Sequence, residues 1–352
     1  MWALLLVLVL VVWSTPLGAQ ESADLAPAVR TETPSCAGLS LLGRGASTVC
    51  PQFGYDAEGG SEYSLALERS STVAAARTAK KYQLLLATAL SASAIAGSVL
   101  NAVVGEDYQS FHTTNEGYFG QRTYAGGADK ASHFVDYTIL SKELANLYGK
   151  MGYSRRDSIL LGFGVSLATG VLNEVGDGFN HYGFSWEDLA MDALGASASA
   201  AIAAAGLEDL IGFRHGVLIP AAGSQYCCQA DPKVGRDYSN EIYTADLALE
   251  GLGRRLNLGI GPLRYLLFSA TYGVKGYPNG ALEVQERQVG LEIGLNFRVI
   301  LDDLGAQRNS WWGYTLHVIF DNFRIPFTSI GFQYDLNSGR WTGPGNGNGY
   351  AR

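Results

Sequence analysis

The sequence predicts an α+β protein: an N-terminal antiparallel helical bundle of about four helices, packed with a C-terminal antiparallel β-sheet of about six strands. Up to His215, apolar residues recur at helical spacing in stretches rich in small residues. After His215 they alternate with polar residues, as in strands. Hydrophobic residues make up 47% of the chain and charged residues only 16%, which indicates a heavily buried bundle or contact with a membrane.

The N-terminus carries an export signal. The apolar stretch from Trp2 to Trp13, followed by Leu17-Gly18-Ala19, predicts a signal peptide over residues 1–19, with an uncleaved anchor helix as the alternative. No cysteine directly follows the apolar stretch, so we do not expect lipidation of the mature N-terminus. Residues 20–75 lack sustained periodicity and predict a flexible lead-in.

The helical bundle is predicted over residues 76–215. Its first helix, Gln83–Val104, has no charge and is long enough to span a bilayer, although a buried helix of a soluble bundle fits almost equally well. The other predicted helices are Asp129–Tyr148, Arg155–Glu174 and Trp186–Leu210. Short connections between them predict antiparallel neighbours.

A β-rich module is predicted over residues 216–341. Its strands are indicated by two-residue alternation in Leu266–Val274, Val289–Val299 and the shorter Leu316–Phe320, and Tyr277-Pro278-Asn279-Gly280 predicts a hairpin turn. We expect the sheet to rest its apolar face on the bundle. The Gly- and Asn-rich end, 342–352, predicts a disordered tail.

Charge and cysteine content restrict the partners. A net charge of −8, a pI near 5.2 and the lack of a basic stripe argue against nucleic acid. The expected partners are a membrane or other envelope proteins, and any small-molecule ligand is unknown. The four cysteines fit an oxidising compartment and are disulfide candidates without a C-x-x-C spacing: Cys36, Cys50, Cys227 and Cys228.

Three short runs carry the ionisable residues that could do chemistry. Asp129 and His133 lie one turn apart after two glycines, and Asp129 could simply cap that helix. Glu174 ends an apolar helix and either points inward or meets solvent. Capping by Ser185 explains Asp188 but not Asp192, which is stacked beneath it on an alanine-rich face.

These runs predict one polar cluster. Its candidate members are Asp129, Lys130, His133, Glu174, Asp177, Asp188 and Asp192. Such a cluster suits a divalent metal, with His133, Glu174 and Asp192 as the expected ligands, or it forms a closed ion-pair network that fixes the bundle. Nucleophile-elbow, phosphate-loop and dinucleotide motifs are absent from the sequence.

The same runs carry a family resemblance. Four runs carry it: Asn115-Glu116-Gly117-Tyr118-Phe119-Gly120, Tyr124-Ala125-Gly126-Gly127-Ala128-Asp129-Lys130-x-x-His133, Glu174-x-x-Asp177-Gly178 and Gly183-Phe184-Ser185-x-x-Asp188-x-x-x-Asp192-x-x-Gly195. Together they resemble the YfiM-like family of uncharacterised, predicted periplasmic lipoproteins. A fainter similarity links two of these runs to VanZ-like membrane proteins. The resemblance implies an envelope location and a single site containing the acids and His133, with no established activity or cofactor. The missing lipidation cysteine departs from the lipoprotein label.

Three functions follow as hypotheses. The first is an exported, membrane-associated, non-enzymatic scaffold or binding module whose polar cluster orders the bundle. The second is a metal-dependent hydrolase or transferase acting on lipid or cell-wall material. The third is a transporter-like element in which intramembrane acids relay protons or ions.

Overall fold

The computed structural model describes residues 60–103, 108–217, 238–239, 241–277, 285–306, 308 and 310–345. The chain divides into two compact units, one ending at Leu85 and one that runs from Leu86 onward. The site below belongs to the second unit. The predicted signal peptide, the four cysteines, the turn residues 278–280 and the end of the predicted tail, 346–352, lie outside the described residues.

Three of the four long helices lie close to their predicted positions, and the first begins well before its predicted start at Gln83. Their bounds are α1 (Gly60–Val103), α2 (Ala128–Lys150), α3 (Arg155–Asp177) and α4 (Trp186–Ala204). Helix α1 begins inside the predicted lead-in, because Ala, Leu and Glu there favour a helix. Helix α4 stops before the predicted Leu210, since Gly206 at φ +67° turns the chain toward the sheet.

Close packing within the bundle depends on small residues. A Cβ at Gly195 of α4 would lie 2.2 Å from the carbonyl oxygen of Phe134 on α2, and one at Gly162 of α3 would lie 2.6 Å from that of Ser141. Helix α1 joins through an apolar cluster shared with α2 and with α7 (Trp311–Asn322), formed by Ala87, Leu90, Ala94, Leu144, Leu147, Tyr148, Tyr314 and Val318. The helices therefore approach closely enough to exclude water from polar groups between them.

The main sheet confirms the α+β class and corrects its details. Its strands are β3 (Ile211–Val217), β4 (Glu241–Ala248), β5 (Leu266–Lys275), β6 (Glu286–Leu295), β7 (Phe323–Arg324), β8 (Ser329–Asp335) and β9 (Arg340–Gly345). Their order is β7-β3-β4-β5-β6-β8-β9. The sheet has seven strands rather than about six, and it is mixed, because β3 pairs with β7 in parallel while the other pairs are antiparallel.

Three local predictions in the C-terminal half are wrong. Leu316–Phe320 is helical, because Ser310 caps α7 by accepting from the N–H of Gly313 and the buried Tyr314 and Val318 lie one turn apart. The strand predicted over Val289–Val299 ends at Leu295, and helix α6 (Phe297–Asp303) follows. The predicted tail begins as β9, which pairs with β8. Short helix α5 (Leu249–Arg255) and the two-residue parallel pair β1 (Thr113–Thr114) and β2 (Phe184–Ser185) complete the described α-helices and strands.

One face of the sheet is polar and buried. Arg214 on β3 contacts Asp246 on β4 at 2.6 Å, and the hydroxyl of Ser269 on β5 donates to Asp246 at 2.6 Å. Arg324 on β7 reaches Glu292 on β6 at 2.8 Å, although three strands lie between them in the sheet. The sheet is therefore strongly curled, and its concave face encloses an ion-pair network.

The opposite face of the sheet is apolar and only partly covered. Phe213, Tyr243 and Val274 pack against α2, as expected for an apolar face resting on the bundle. Farther along the strands, the same face exposes Leu247, Phe268, Leu291, Ile293, Ile330 and Phe332. This polar-inside, apolar-outside arrangement inverts the usual one-sided antiparallel sheet, which buries its apolar face and exposes its polar face.

Candidate functional site

The loop before α2 places the first acidic run. Ala125, Gly126 and Gly127 have φ values of 50°, 61° and 94°, and Gly127 is the residue that caps α2. A Cβ at Gly127 would lie 2.7 Å from the Phe119 ring, so glycine is needed there for close approach as well as for its conformation. Asp129 is therefore not the helix cap that its position suggested. It is buried in the first turn and faces the other acids.

Glu174 points into the protein. Helix α3 continues to Asp177, and Glu174 is 1% exposed. Its Oε2 accepts a hydrogen bond from the backbone N–H of Ser185 at 3.1 Å, and its Oε1 has no hydrogen-bond partner within the described structure. Asp177, one turn on, accepts from the side-chain amide of Asn173 at 2.9 Å. The inward alternative for Glu174 is thus the one that the structure adopts.

The start of α4 supplies two more acids. Ser185 caps the helix by accepting from the N–H of Asp188 at 3.2 Å, which confirms the predicted cap. Both Asp188 and Asp192 face inward, and Asp192 is completely buried. The Oδ2 of Asp192 has no hydrogen-bond partner among the described residues. Capping of α4 therefore explains Asp188 but gives no reason for an aspartate at position 192.

Lys130 is the main cation of the cluster. Its side chain is completely buried, and its Nζ lies 2.8 Å from Asp129 Oδ2 and 2.5 Å from Asp188 Oδ1. It also donates to Glu116, in the loop before α2. These three carboxylates keep the pKa of Lys130 well above its usual value, although burial alone would lower it.

His133 lies at the centre of the remaining acids. Its Nδ1 contacts Asp192 Oδ1 at 2.7 Å, while its Nε2 lies 3.7 Å from Asp188 Oδ1 and 3.8 Å from Asp129 Oδ1. Burial would lower the pKa of His133, but Asp188, Asp192 and Asp129 together raise it well above its ordinary value. The ring is held from one side and presents its second nitrogen to two carboxylates.

The cluster has more acids than its two cations can neutralise. Burial raises the pKa of Glu174 to about 9, that of Glu116 to about 8 and those of Asp177 and Asp192 to about 6. Asp129 is the opposite case: although burial opposes ionisation, His133, Lys130 and a hydrogen bond from Tyr238 hold its pKa well below the usual range. Glu174 and Glu116 therefore retain protons near neutral pH.

Most of the predicted residues surround one cavity of about 280 Å³. Its lining is Glu116, Tyr124, Asp129, His133, Asn173, Glu174, Asp177, Asn180, Tyr182, Gly183, Asp188 and Tyr238. Lys130 and Asp192 do not line the cavity, but Lys130 contacts the lining residue Asp188 and Asp192 contacts the lining residue His133. The structure thus brings all seven predicted cluster residues together, while their role stays a prediction.

Sequence reasoning missed two contacts of the cluster. Glu116 stood in a quoted motif but not among the candidates, and a buried Lys130 beside acids could have indicated that a further counter-charge was needed. Tyr238 hydrogen-bonds to Asp129 from a distant part of the chain, and nothing in its local sequence marks it.

Two groups of side chains could hold a metal ion. Asp129, His133 and Asp188 form one group, and His133, Glu174 and Asp192 form the other; within each group the ligand atoms lie within 4.8 Å of one another. The second group is the predicted ligand set. The first group lines the cavity with all three of its members, whereas Asp192 of the second does not line it.

Comparison with known proteins supports the family and the location. Residues 115–204 match the model of a family described as Predicted periplasmic lipoprotein (DUF2279). A search of curated proteins gave no significant match, and neither did a search of solved structures. The match includes every cluster residue except Tyr238; the YfiM-like name and the similarity to VanZ-like proteins stay predictions. Residues 115–204 are therefore similar to this family of predicted periplasmic lipoproteins, a description that agrees with a location in the cell envelope.

Proposed function

We propose that this chain is an exported, membrane-associated envelope protein, and that its acid–histidine cluster is a non-enzymatic binding module for one divalent cation. The position of the His133 ring among three carboxylates is the observation that carries the proposal. Its Nε2 faces Asp188 and Asp129 at 3.7 and 3.8 Å, and its Nδ1 is held by Asp192 at 2.7 Å. Histidines that bind metal commonly donate their other ring N–H to a carboxylate.

The distances suit a small cation after a slight contraction. An ion bound at about 2.1 Å to each ligand holds the ligand atoms roughly 3–3.5 Å apart. The three atoms already face one cavity, which gives an ion a path of entry. One imidazole with two carboxylates favours a transition-metal ion such as Mn²⁺ or Zn²⁺ over an ion that prefers oxygen ligands alone.

The charge balance favours a cation in addition to Lys130. Six carboxyl groups, those of Glu116, Asp129, Glu174, Asp177, Asp188 and Asp192, surround the two basic side chains. The unpartnered oxygens on Glu174 and Asp192 are both buried. Burying carboxylates without counter-charge is costly, so such a cluster binds either protons or a cation.

The test is cation binding by the full-length protein after treatment with EDTA. We expect saturable binding of Mn²⁺ or Zn²⁺ at one ion per chain by calorimetry, weakened at least tenfold in His133→Gln and Asp188→Asn. His112→Gln and Asp303→Asn make the same substitutions at positions that do not line the cavity, and they should bind as the wild type does. If the folded wild-type protein binds neither ion, the cluster is a closed scaffold and the cation-binding proposal is wrong.

A hydrolase or transferase acting on lipid or cell-wall material is the second candidate. Glu174 favours it, because a buried carboxyl group with a pKa of about 9 lines the same cavity and could donate a proton beside a cation. Glu174→Gln should then retain the cation but lose turnover of phospholipid or peptidoglycan fragments. If the cation-loaded wild-type protein turns over neither substrate, this candidate is rejected.

Membrane association is supported by the apolar face of the sheet. Leu291 and Phe332 are directly paired on β6 and β8 and are 71% and 55% exposed, as on a surface that faces lipid. Two helical stretches in the described part, Thr78–Leu100 and Arg155–Asp177, are also long and apolar enough to cross a membrane. Buried core helices of soluble proteins pass that test too, so the sheet face is the stronger support.

Vesicle flotation tests this part of the proposal. Leu291→Gln combined with Phe332→Gln should reduce co-flotation of the full-length protein with phospholipid vesicles. Leu304→Gln is the control, because Leu304 is 76% exposed but follows helix α6, outside the sheet. Equal flotation of the sheet variant and the wild type would contradict lipid contact through this face.

A further inference from the structure

A larger cavity, of about 580 Å³, lies between the helical bundle and the sheet, separate from the acid–histidine cluster. Part of its lining is apolar: Ile202 of α4, Leu267 of β5, Phe297 of α6 and Phe320 of α7. No residue of the cluster contributes to the described lining. The cavity therefore requires its own explanation.

Its charged lining is predominantly basic. Among the described residues, seven lysine and arginine side chains and four carboxylates line it, in a chain whose net charge is −8. Some of these cations are matched: Arg214 contacts Asp246 at 2.6 Å, and Arg155 contacts Glu208 at 2.6 Å. The positive surplus must therefore lie elsewhere in the lining.

Arg254 and Arg255 both contact Asp209, at 2.5 and 2.6 Å, and the rest of the surplus surrounds Asp321 on α7. Arg308 pairs with its carboxylate, and Lys142 Nζ lies 3.5 Å from its backbone oxygen and 3.6 Å from the carboxylate of Glu143. Arg298 donates to the backbone carbonyl of Glu208 at 2.7 Å rather than to a carboxylate.

Electrostatics agrees with this geometry. Although burial would raise the pKa of Asp321, the charges of Arg308, Lys142 and Arg298 hold it below its usual value. Three cations thus act on one aspartate. The basic surplus persists when Glu143 is counted with the lining carboxylates.

We propose that this cavity binds a phosphate-bearing anion, with Arg298 and Lys142 as its cationic ligands. Guanidinium and ammonium groups form charge-assisted hydrogen bonds with phosphate oxygens. The apolar residues beside them could accommodate an attached acyl chain. A phospholipid headgroup and free phosphate share this chemistry, and the experiment distinguishes them.

The test uses the full-length protein in an uncharged detergent with two probes, inorganic phosphate and a short-chain phosphatidic acid. We expect saturable binding of at least one probe by calorimetry, weakened about tenfold or more in Arg298→Gln and in Lys142→Gln, the loss of one charge-assisted contact. Arg264→Gln is the control, since Arg264 pairs with Asp303 outside this cavity and its loss changes the net charge equally.

The probes separate the sources of the anion. Binding of both with similar affinity supports a free-phosphate site, whereas binding of the phosphatidic acid alone supports a lipid headgroup. The proposal is overturned if the folded wild-type protein binds neither probe, or if Arg264→Gln weakens binding as much as Arg298→Gln does. Because wild-type binding is itself decisive, a variant that fails to fold does not rescue the proposal.

Discussion

Two buried ionic regions of this protein differ in how completely their charges are paired. On the concave face of the sheet, Arg214 donates to Asp246 at 2.6 and 3.0 Å, and Arg324 contacts Glu292 at 2.8 Å. Each of these carboxylates also accepts from a serine hydroxyl. In the acid–histidine cluster, six carboxyl groups share Lys130 and His133, and one buried oxygen each of Glu174 and Asp192 has no hydrogen-bond partner among the described residues.

The difference separates a region whose charges are matched internally from the region that we propose binds a cation. An ion pair in which each carboxylate has its own arginine is closed, and removing one partner leaves a buried charge. A cluster with unmatched acids must take up protons or a cation from solution. We therefore expect substitutions in the sheet network to change stability, and substitutions in the cluster to change binding.

The largest expected effect is Arg324→Met. It leaves the 4% exposed Glu292 without its arginine, so we expect the free energy of unfolding to fall by about 3–5 kcal/mol in urea denaturation. The double variant with Glu292→Leu should recover most of that loss, because an apolar pair tolerates burial. A loss below about 1 kcal/mol would mean that this network is not closed.

A pH titration probes a third ionic contact, where the sheet meets α2. His215 lies 2.9 Å from Asp136 and 3.2 Å from Glu241. Burial opposes protonation, but these carboxylates raise the pKa of His215 to about 9. Protonated His215 therefore stabilises the folded protein. This contribution to the free energy of unfolding is complete below the ordinary histidine pKa of about 6.5 and is lost as the pH rises through about 9, a decrease of about 3 kcal/mol.

Because other groups titrate in the same range, the difference between wild type and His215→Gln is the quantity to measure. Wild-type stability from urea denaturation should decline more steeply than that of His215→Gln between pH 6.5 and 9. Parallel curves would show that His215 is not protonated in the folded protein.

The bundle could be predicted from the sequence because its signals are local. Ser154 and Ser185 cap α3 and α4, and the acids follow at helical spacing. The strand prediction over residues 316–320 was wrong because their alternation fits a strand as well as the apolar side of a short helix.

The inverted sheet and the full cluster could not be predicted. Alternation along β5 and β6 defines two faces of a strand but not which face is buried. Tyr238 reaches Asp129 only through the tertiary fold. Whether Glu174 points inward depends on α4 packing beside it, which the sequence of α3 alone does not specify.

The next largest change in the free energy of unfolding is expected on adding a divalent cation. At a Mn²⁺ concentration of about one hundred times Kd, a ligand that binds only the folded state adds about 2.7 kcal/mol to the free energy of unfolding. We expect this gain in wild type and in Arg324→Met, and its loss in Asp188→Asn. Urea denaturation with Mn²⁺ or EDTA measures it, and equal gains in all three proteins would place any bound ion outside the cluster.

Asp192→Asn in EDTA should have the smallest effect, within about 1 kcal/mol of wild type. An asparagine oxygen can still accept from His133 Nδ1, and the substitution removes a buried carboxylate that Asp188 and Asp129 repel. Urea denaturation beside Arg324→Met makes the comparison direct, since both residues are almost completely buried. A loss above about 2 kcal/mol would show that the cluster is closed in the same way as the sheet network. In that case the unpartnered oxygens would no longer argue for a bound cation.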